Sequence, residues 1–299
     1  MLKKLVFQPG INRDRSSYSS EGSWYNCDKI RFRQGYPEKI GGWKPINLTA
    51  YVGTASSMIQ YGTSDGNQII SVATNEKNYI IKGTALTDVT PLRDTYTTST
   101  TPSTDNCFAT TDESTTVVVT ITGHGASEGD YVTFSGSAAV GGVSAANLNT
   151  EFKIANVTSN TFEITVAAAA TSTVSSGGGT GISAAFQFPV GNANVEYGYG
   201  WGAGAWNRNT WGSASDTPVD LPPRITFQDK INNDVIYNIE DSDIFFFDYD
   251  SSISNRVVKL NTLVGSRAVP EQVGKVMFAS SGHLLCLRAT SYARALTAG

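Results

Sequence analysis

The sequence predicts an all-β fold. The chain is rich in residues that favour turns and pleated surfaces, with 29 Gly, 13 Tyr and 13 Phe in 299 residues. Short apolar runs recur about every ten residues, each closed by turn formers, which is the rhythm of antiparallel meanders. No long stretch carries a 3.6-residue apolar period. The length is enough for one large domain or two ordinary ones with a real core.

Residues 1–94 begin with a polar, glycine-rich lead segment and continue into the first strands of a β body. Strand-like runs at 57–61, 68–73 and 78–83 are each followed by turn residues. Residues 95–185 differ in composition: Thr, Ser, Ala and Val dominate, and Lys153 is the only basic side chain. Strands are expected at 116–122, 131–134, 152–157 and 162–166, with a hairpin turn at 157–162. The alternation of Phe152 with Ile154, and of Phe162, Ile164 and Val166, argues against Ser/Thr-rich disorder. The flanks, 97–104 and 175–181, read as flexible linkers. A small β-barrel or sandwich inserted into a larger domain follows. Residues 186–299 resume the body, with hairpins expected around 240–243 and 280–282. The expected architecture is a propeller-like antiparallel β body, incomplete as a propeller, carrying that insert.

The net charge is −4, and charged residues make up 16% of the chain. A dedicated nucleic-acid binder usually has a basic field, so that class is disfavoured. The charge is uneven. Residues 1–45 hold nine Lys/Arg against four acids, for +5; the remainder holds 13 against 22, for −9. The lead segment therefore suits an acidic partner, including a neighbouring copy of the chain. The competing reading is a solvated loop in which Arg31 and Arg33 pair locally. No apolar run approaches the roughly 18 residues of a membrane span. Gln8-Pro9-Gly10 ends the basic opening too early for a secretory signal. Cys27, Cys107 and Cys286 are few, odd in number and far apart, so reduced thiols are expected rather than a disulfide frame or zinc site.

Several motifs touch on chemistry. Gly62-Thr63-Ser64-Asp65-Gly66 matches a nucleophile elbow, but strand-like residues on both sides make it a tight turn. His124 and His283 both sit at expected turns, and two histidines cannot complete a three-histidine site. Gly198-x-Gly200-x-x-Ala203 fits a loose dinucleotide fingerprint without a following helix. Trp201, Trp206 and Trp211 fall at five-residue intervals among glycines. They suit a contact between subunits or domains, a sugar-stacking surface or plain core packing. Asp241, Asp243, Asp248 and Asp250 lie close in sequence but lack a complete calcium loop, and turn chemistry accounts for them more simply. No cofactor and no metal are expected.

Two long runs resemble the opening of tail proteins from short-tailed, podovirus-type phages. One is Pro9-Gly10-Ile11-Asn12-Arg13-Asp14. The other extends from Tyr18-Ser19-Ser20 through Trp24-Tyr25-Asn26-Cys27-Asp28-Lys29-Ile30-Arg31-Phe32-Arg33 to Gly41-Gly42-Trp43. The runs at 198–211 and Val269-Pro270-Glu271-Gln272-Val273-Gly274 are similar to those proteins too. Within the insert, Gly123-His124-Gly125-Ala126, Gly129-Asp130-Tyr131-Val132-Thr133-Phe134 and Asn160-Thr161-Phe162 resemble a small β module of phage tail proteins. That module has been likened to a β domain of ubiquitin-activating enzymes.

The resemblance implies the tail nozzle, or tail tubular protein B, family. It implies a virion tail protein made in the host cytoplasm, without catalytic residues. It also implies a homohexameric ring with a β-propeller-like body below the portal and tail adaptor. The implied partners are further copies of the chain, the adaptor or head–tail connector, a tail fibre or spike, and DNA only in transit. Members are usually much longer, and 291–299 falls where further propeller strands would follow. Arg31, Arg33, Trp201, Trp206 and Trp211 are the expected subunit-contact residues. A weakly acidic lumen suits a conduit, because phosphate contacts would slow the cargo. The alternatives are a host-surface glycan-binding tail module, through the insert, and a tail depolymerase using carboxylates such as Asp241 and Asp248.

Overall fold

The structure is a computed structural model. It describes residues 8–14, 16–19, 22–42, 44–45, 49–195, 222–263, 273–274, 277–280 and 283–289, with 277–280 described as backbone. The fold is all-β, and its sheets are antiparallel. The chain divides into two units, Met1–Leu48 and Thr49–Gly299.

In the first unit a parallel bridge joins Ile11 to Trp24, and the Asn12 N–H donates to the Trp24 carbonyl at 2.8 Å. Strands β1 (Ile30–Arg33) and β2 (Tyr36–Lys39) form a hairpin in which Arg31 faces Glu38 and Arg33 faces Tyr36. Gln34 and Gly35 both take positive φ, 50° and 86°. Two such residues in sequence match the right-handed twist of the flanking strands, which explains a reversal this tight. None of the unit's described side chains is buried.

The second unit opens with β3 (Ala55–Gly62), β4 (Gln68–Thr74), β5 (Asn78–Lys82) and β6 (Ala85–Asp88), an up-and-down sheet in sequence order. The chain then builds a separate module. It comprises β7 (Leu92–Thr97), β8 (Phe108–Thr110), β9 (Thr116–Thr120), β10 (Tyr131–Ser135), β11 (Glu151–Lys153), β12 (Thr161–Thr165), β13 (Val174–Gly177) and β14 (Ser183–Gln187), with one helical turn, α1 (Ala145–Leu148). Its sheets run β11-β10-β14-β7 and β12-β9-β8-β13 and enclose one core, without closing into a barrel. Phe108 and Phe162 come from one sheet, Phe134 and Phe186 from the other. The Phe108 and Phe134 rings meet edge-on at 4.9 Å. Each fully buried phenylalanine contributes about 2 kcal/mol.

After the module come β15 (Thr226–Ile231), β16 (Asp234–Ile239), β17 (Ile244–Phe247) and β18 (Val258–Lys259), a second up-and-down sheet, and then the hairpin β19 (Met277–Ser280) and β20 (His283–Cys286). Strand β16 serves two cores. Val235, Tyr237 and Ile239 pack with Tyr61, Ile69 and Ile80 of the first sheet. Ile236 turns the other way, onto a cluster that includes Ile244, Val273, Leu284 and Cys286. A strand buried on both faces is what a sheet sandwiched between two layers requires.

One expectation is corrected. The flanks at 97–104 and 175–181 are not loose linkers. Thr97 ends β7 and Val174–Gly177 is strand β13. The Thr98 hydroxyl accepts from the Gly181 N–H at 2.6 Å, and the buried Thr104 hydroxyl donates to the Ile182 carbonyl at 2.6 Å. Hydroxyls that bond neighbouring backbone look compositionally like disorder. Gly178 is there for close approach. A Cβ on Gly178, whose φ is +110°, would lie 2.8 Å from the Phe108 ring and 2.9 Å from Ile182 Cδ1. The hairpin turn expected at 157–162 is present, closed by the Thr158 N–H on the Thr161 carbonyl at 2.8 Å, and an antiparallel bridge between Ala155 and Glu163 pairs its two arms. It carries the chain from β11 in one sheet to β12 in the other.

Candidate functional site

The densest cluster of charged side chains lies at the seam between the module and the body that carries it. The β4–β5 turn presents Asn75, Glu76 and Lys77 to the module. The Lys77 ammonium, only 6% exposed, binds Asp88 of β6 at 3.1 Å and Glu151 of β11. It also sits 4.4 Å from the centre of the Tyr131 ring. Arg256 spans the same two carboxylates, 3.5 Å from Asp88 and 3.7 Å from Glu151, and donates to the Thr90 carbonyl at 3.0 Å. Gln187 of β14 donates its amide to Glu151. Glu76 accepts the Tyr131 hydroxyl at 2.6 Å and the Lys153 ammonium at 3.1 Å.

A second layer surrounds the tethers. Arg224 is buried; its guanidinium donates to the Asn75 and Glu76 carbonyls, both at 3.2 Å, and lies over the Phe188 ring. Burial pushes its pKa down to about 10. The buried Asp130 accepts the backbone N–H of Val190 at 3.0 Å and of Ser127 at 2.8 Å. Asn75 donates to the Gly191 carbonyl at 2.6 Å.

The electrostatics agree with this geometry. Burial acts to raise the Asp88 carboxyl, but Arg256 and Lys77 outweigh it and hold it below the ordinary range. Burial likewise opposes the Glu76 charge, and the Tyr131 hydroxyl and Lys153 reverse that effect. The Tyr131 phenol is raised by burial and then by Glu76. Opposite charges and hydrogen bonds thus favour the ionised carboxylates more than partial burial disfavours them. Breaking such a network by removing one partner is costly, because the other charge stays half-buried. The seam fixes the module to the body.

The predicted site residues are scattered. Arg31 pairs with Glu38 across the hairpin at 3.1 Å, and Arg33 is exposed on the same face. Trp201, Trp206, Trp211 and the glycine fingerprint from Gly198 lie outside the described residues. Ser64 sits in the β3–β4 turn with a strand, not a helix, after it. Its N–H donates to Asn233 Oδ1 at 2.9 Å, and its hydroxyl accepts from Asn233 Nδ2 at 2.8 Å. His124 is buried against Phe162 and Phe186, and its Nδ1 accepts the Ala126 N–H at 3.0 Å. Burial lowers its pKa, opposed by the Thr161 and Thr158 backbone. His283 starts β20 and is exposed.

The four aspartates do not converge. Asp241 pairs with Arg288 at 3.3 Å and Asp243 with Lys259 at 2.9 Å. Asp248 caps the Ser251 N–H, and Asp250 accepts from Asn233. The length of β17 separates the two pairs, about 16 Å of strand from Asp243 to Asp248. A glycosidase pair needs carboxyls roughly 5–10 Å apart, so the Asp241–Asp248 reading is corrected. Among the described residues no group of three or more His, Cys, Asp or Glu could hold a metal. The three cysteines are free. Burial pushes the Cys107 thiol up to about 12, which makes it a poor nucleophile. A cleft of about 690 Å³ opens on the module beside Thr101, Ser103, Asp105, Asn106, Thr120 and Thr122.

Sequence reasoning missed the seam residues Glu76, Lys77, Glu151, Arg224 and Arg256. One signal was available: Lys153, the lone cation of a segment with seven acids, pointed to a specific partner.

No family model matches the chain, and no curated protein matches it. Among solved structures, the chain is similar to a phage phi92 endosialidase, with 16% identity and a TM-score of 0.25. The match covers 75% of this chain and 32% of that one.

Proposed function

We propose that the chain is a structural subunit of a phage tail, of the nozzle or tail tubular protein B type, and acts without turnover. In this reading identical copies form a ring, a hexamer, around the passage for DNA. The ring sits below the adaptor and holds a tail fibre or spike. The observation that carries the reading is the stacking of two four-stranded up-and-down sheets and a further hairpin, face against face, through β16. Such units are the blades from which propeller walls are built. The runs at 9–14 and 18–43 that resemble nozzle proteins support it independently. The −9 charge of the chain beyond residue 45 suits a lumen that does not hold DNA. Negative-stain images of the full chain test the reading. Closed rings support it, and a protein that stays monomeric at every concentration overturns it.

A second reading is favoured by one observation, the cleft beside Asp105 and Asn106. Its hydroxyl, amide and carboxylate lining suits a polyhydroxylated ligand such as a host-surface glycan. Glycan-array binding by the full chain, lost in Asp105→Ala with Asn106→Ala, supports this reading. An array without signal rejects it.

A further inference from the structure

We propose that segment 8–42 is an assembly arm whose exposed face is covered by the acidic body of a second copy of this chain; this rests on the ring reading above. The segment has a hairpin, a parallel bridge and cross-links such as Arg13 to Asn26 at 3.0 Å. Yet none of its described side chains is buried. Tyr18 is 95% exposed, Tyr36 76% and Ile11 51%. A unit this small rarely holds its shape without a disulfide, a metal or an oligomeric partner. Cys27 is free, and the described residues offer no cluster for a metal. In the ring reading, a second copy of the chain supplies the cover.

Charge selects that molecule. Residues 1–48 carry nine Lys/Arg and four acids, for +5, while residues 49–299 carry 13 and 22, for −9. Opposite signs at the two ends of one sequence suit head-to-tail contacts, the kind that close into rings. The hairpin presents the chemistry of such a contact. Alternate residues share a face, so Arg31, Arg33, Tyr36 and Glu38 point one way. Arg33 stands directly across from Tyr36, and exposed Tyr and Arg are the residues that anchor interfaces.

The test uses the full chain in an equal mixture of isotopically light and heavy protein. A carbodiimide joins ammonium to carboxylate at zero length. The expected result is light–heavy links from Lys29 and Lys39 to carboxylates within 49–299. In parallel, Arg33→Glu with Tyr36→Ser should weaken assembly about tenfold in sedimentation velocity, with the melting of the body unchanged. Rings that form without light–heavy links, or that tolerate the double variant, overturn the arm and leave the ring reading standing. A chain that never assembles overturns both.

Discussion

The hydroxyl of Tyr131, in the inserted module, donates a 2.6 Å hydrogen bond to the carboxylate of Glu76, on the β4–β5 turn of the body. The two residues are 55 positions apart in sequence. Their contact joins two elements whose cores share no residue.

Removing that donor is the mildest cut through the seam. Tyr131→Phe keeps the ring beside Lys77 and Lys153 but leaves Glu76 with Lys153 alone. A charge-assisted hydrogen bond of this kind is worth about 2 kcal/mol. Urea unfolding should show that loss as a lower midpoint. An unchanged midpoint would remove Tyr131 from the seam.

Acid should loosen the seam. Glu76 and Asp88 have carboxyls held below their usual range. A group whose folded pKa is depressed adds stability above its unfolded pKa and loses it as pH falls through the folded value. With unfolded values of about 4, the seam's contribution should be constant down to about pH 5 and decline below about pH 4. Melting curves of wild type and Glu76→Gln across that window should converge toward low pH. Parallel curves would contradict the linkage.

His124 acts in a higher window. Burial holds its folded pKa below the unfolded value of about 6.5. Below that pH the unfolded chain takes up a proton that the folded imidazole refuses, so stability falls as pH drops and then levels off. His124→Gln should abolish this slope below about pH 6.5. A slope that survives in the variant assigns the effect elsewhere.

The glycine run of the module separates packing from backbone strain. Gly178→Ala combines a positive φ with contact at 2.8 Å to Phe108, and should cost about 3 kcal/mol. Gly179→Ala shares the positive φ, but its nearest neighbour would be Ala138 Cβ at 3.9 Å. It should cost about 1 kcal/mol. Equal losses in denaturant titrations would show that crowding at Phe108 is immaterial.

The sequence revealed what has a period and hid what does not. Strands β4, β16 and β17 were legible because each is a short, mostly apolar run closed by turn residues. The aromatic alternation at Phe152 and Phe162 marked the module. Strand β15 was missed because it is polar: its Gln228 reaches inward to Ser57 at 3.0 Å and Ser71 at 2.6 Å, bonds that no local pattern announces. The hairpin β1–β2 was hidden for a different reason. Ile30 and Phe32 alternate on one face of β1, but a run of four residues is too short to stand out, and β2 adds only Pro37 opposite them. Seam partners such as Tyr131 and Lys153 with Glu76 lie 55 and 77 positions apart. Spacing within an element therefore could not find them.

Strands β7 and β14, where the chain enters and leaves the module, are hydrogen-bonded neighbours, and the Phe188 N–H donates to the Pro91 carbonyl at 2.9 Å just outside them. Departure and return therefore occupy one spot on the body. Evolution can swap, enlarge or delete everything beyond that doorway while the surrounding meanders keep their alignment.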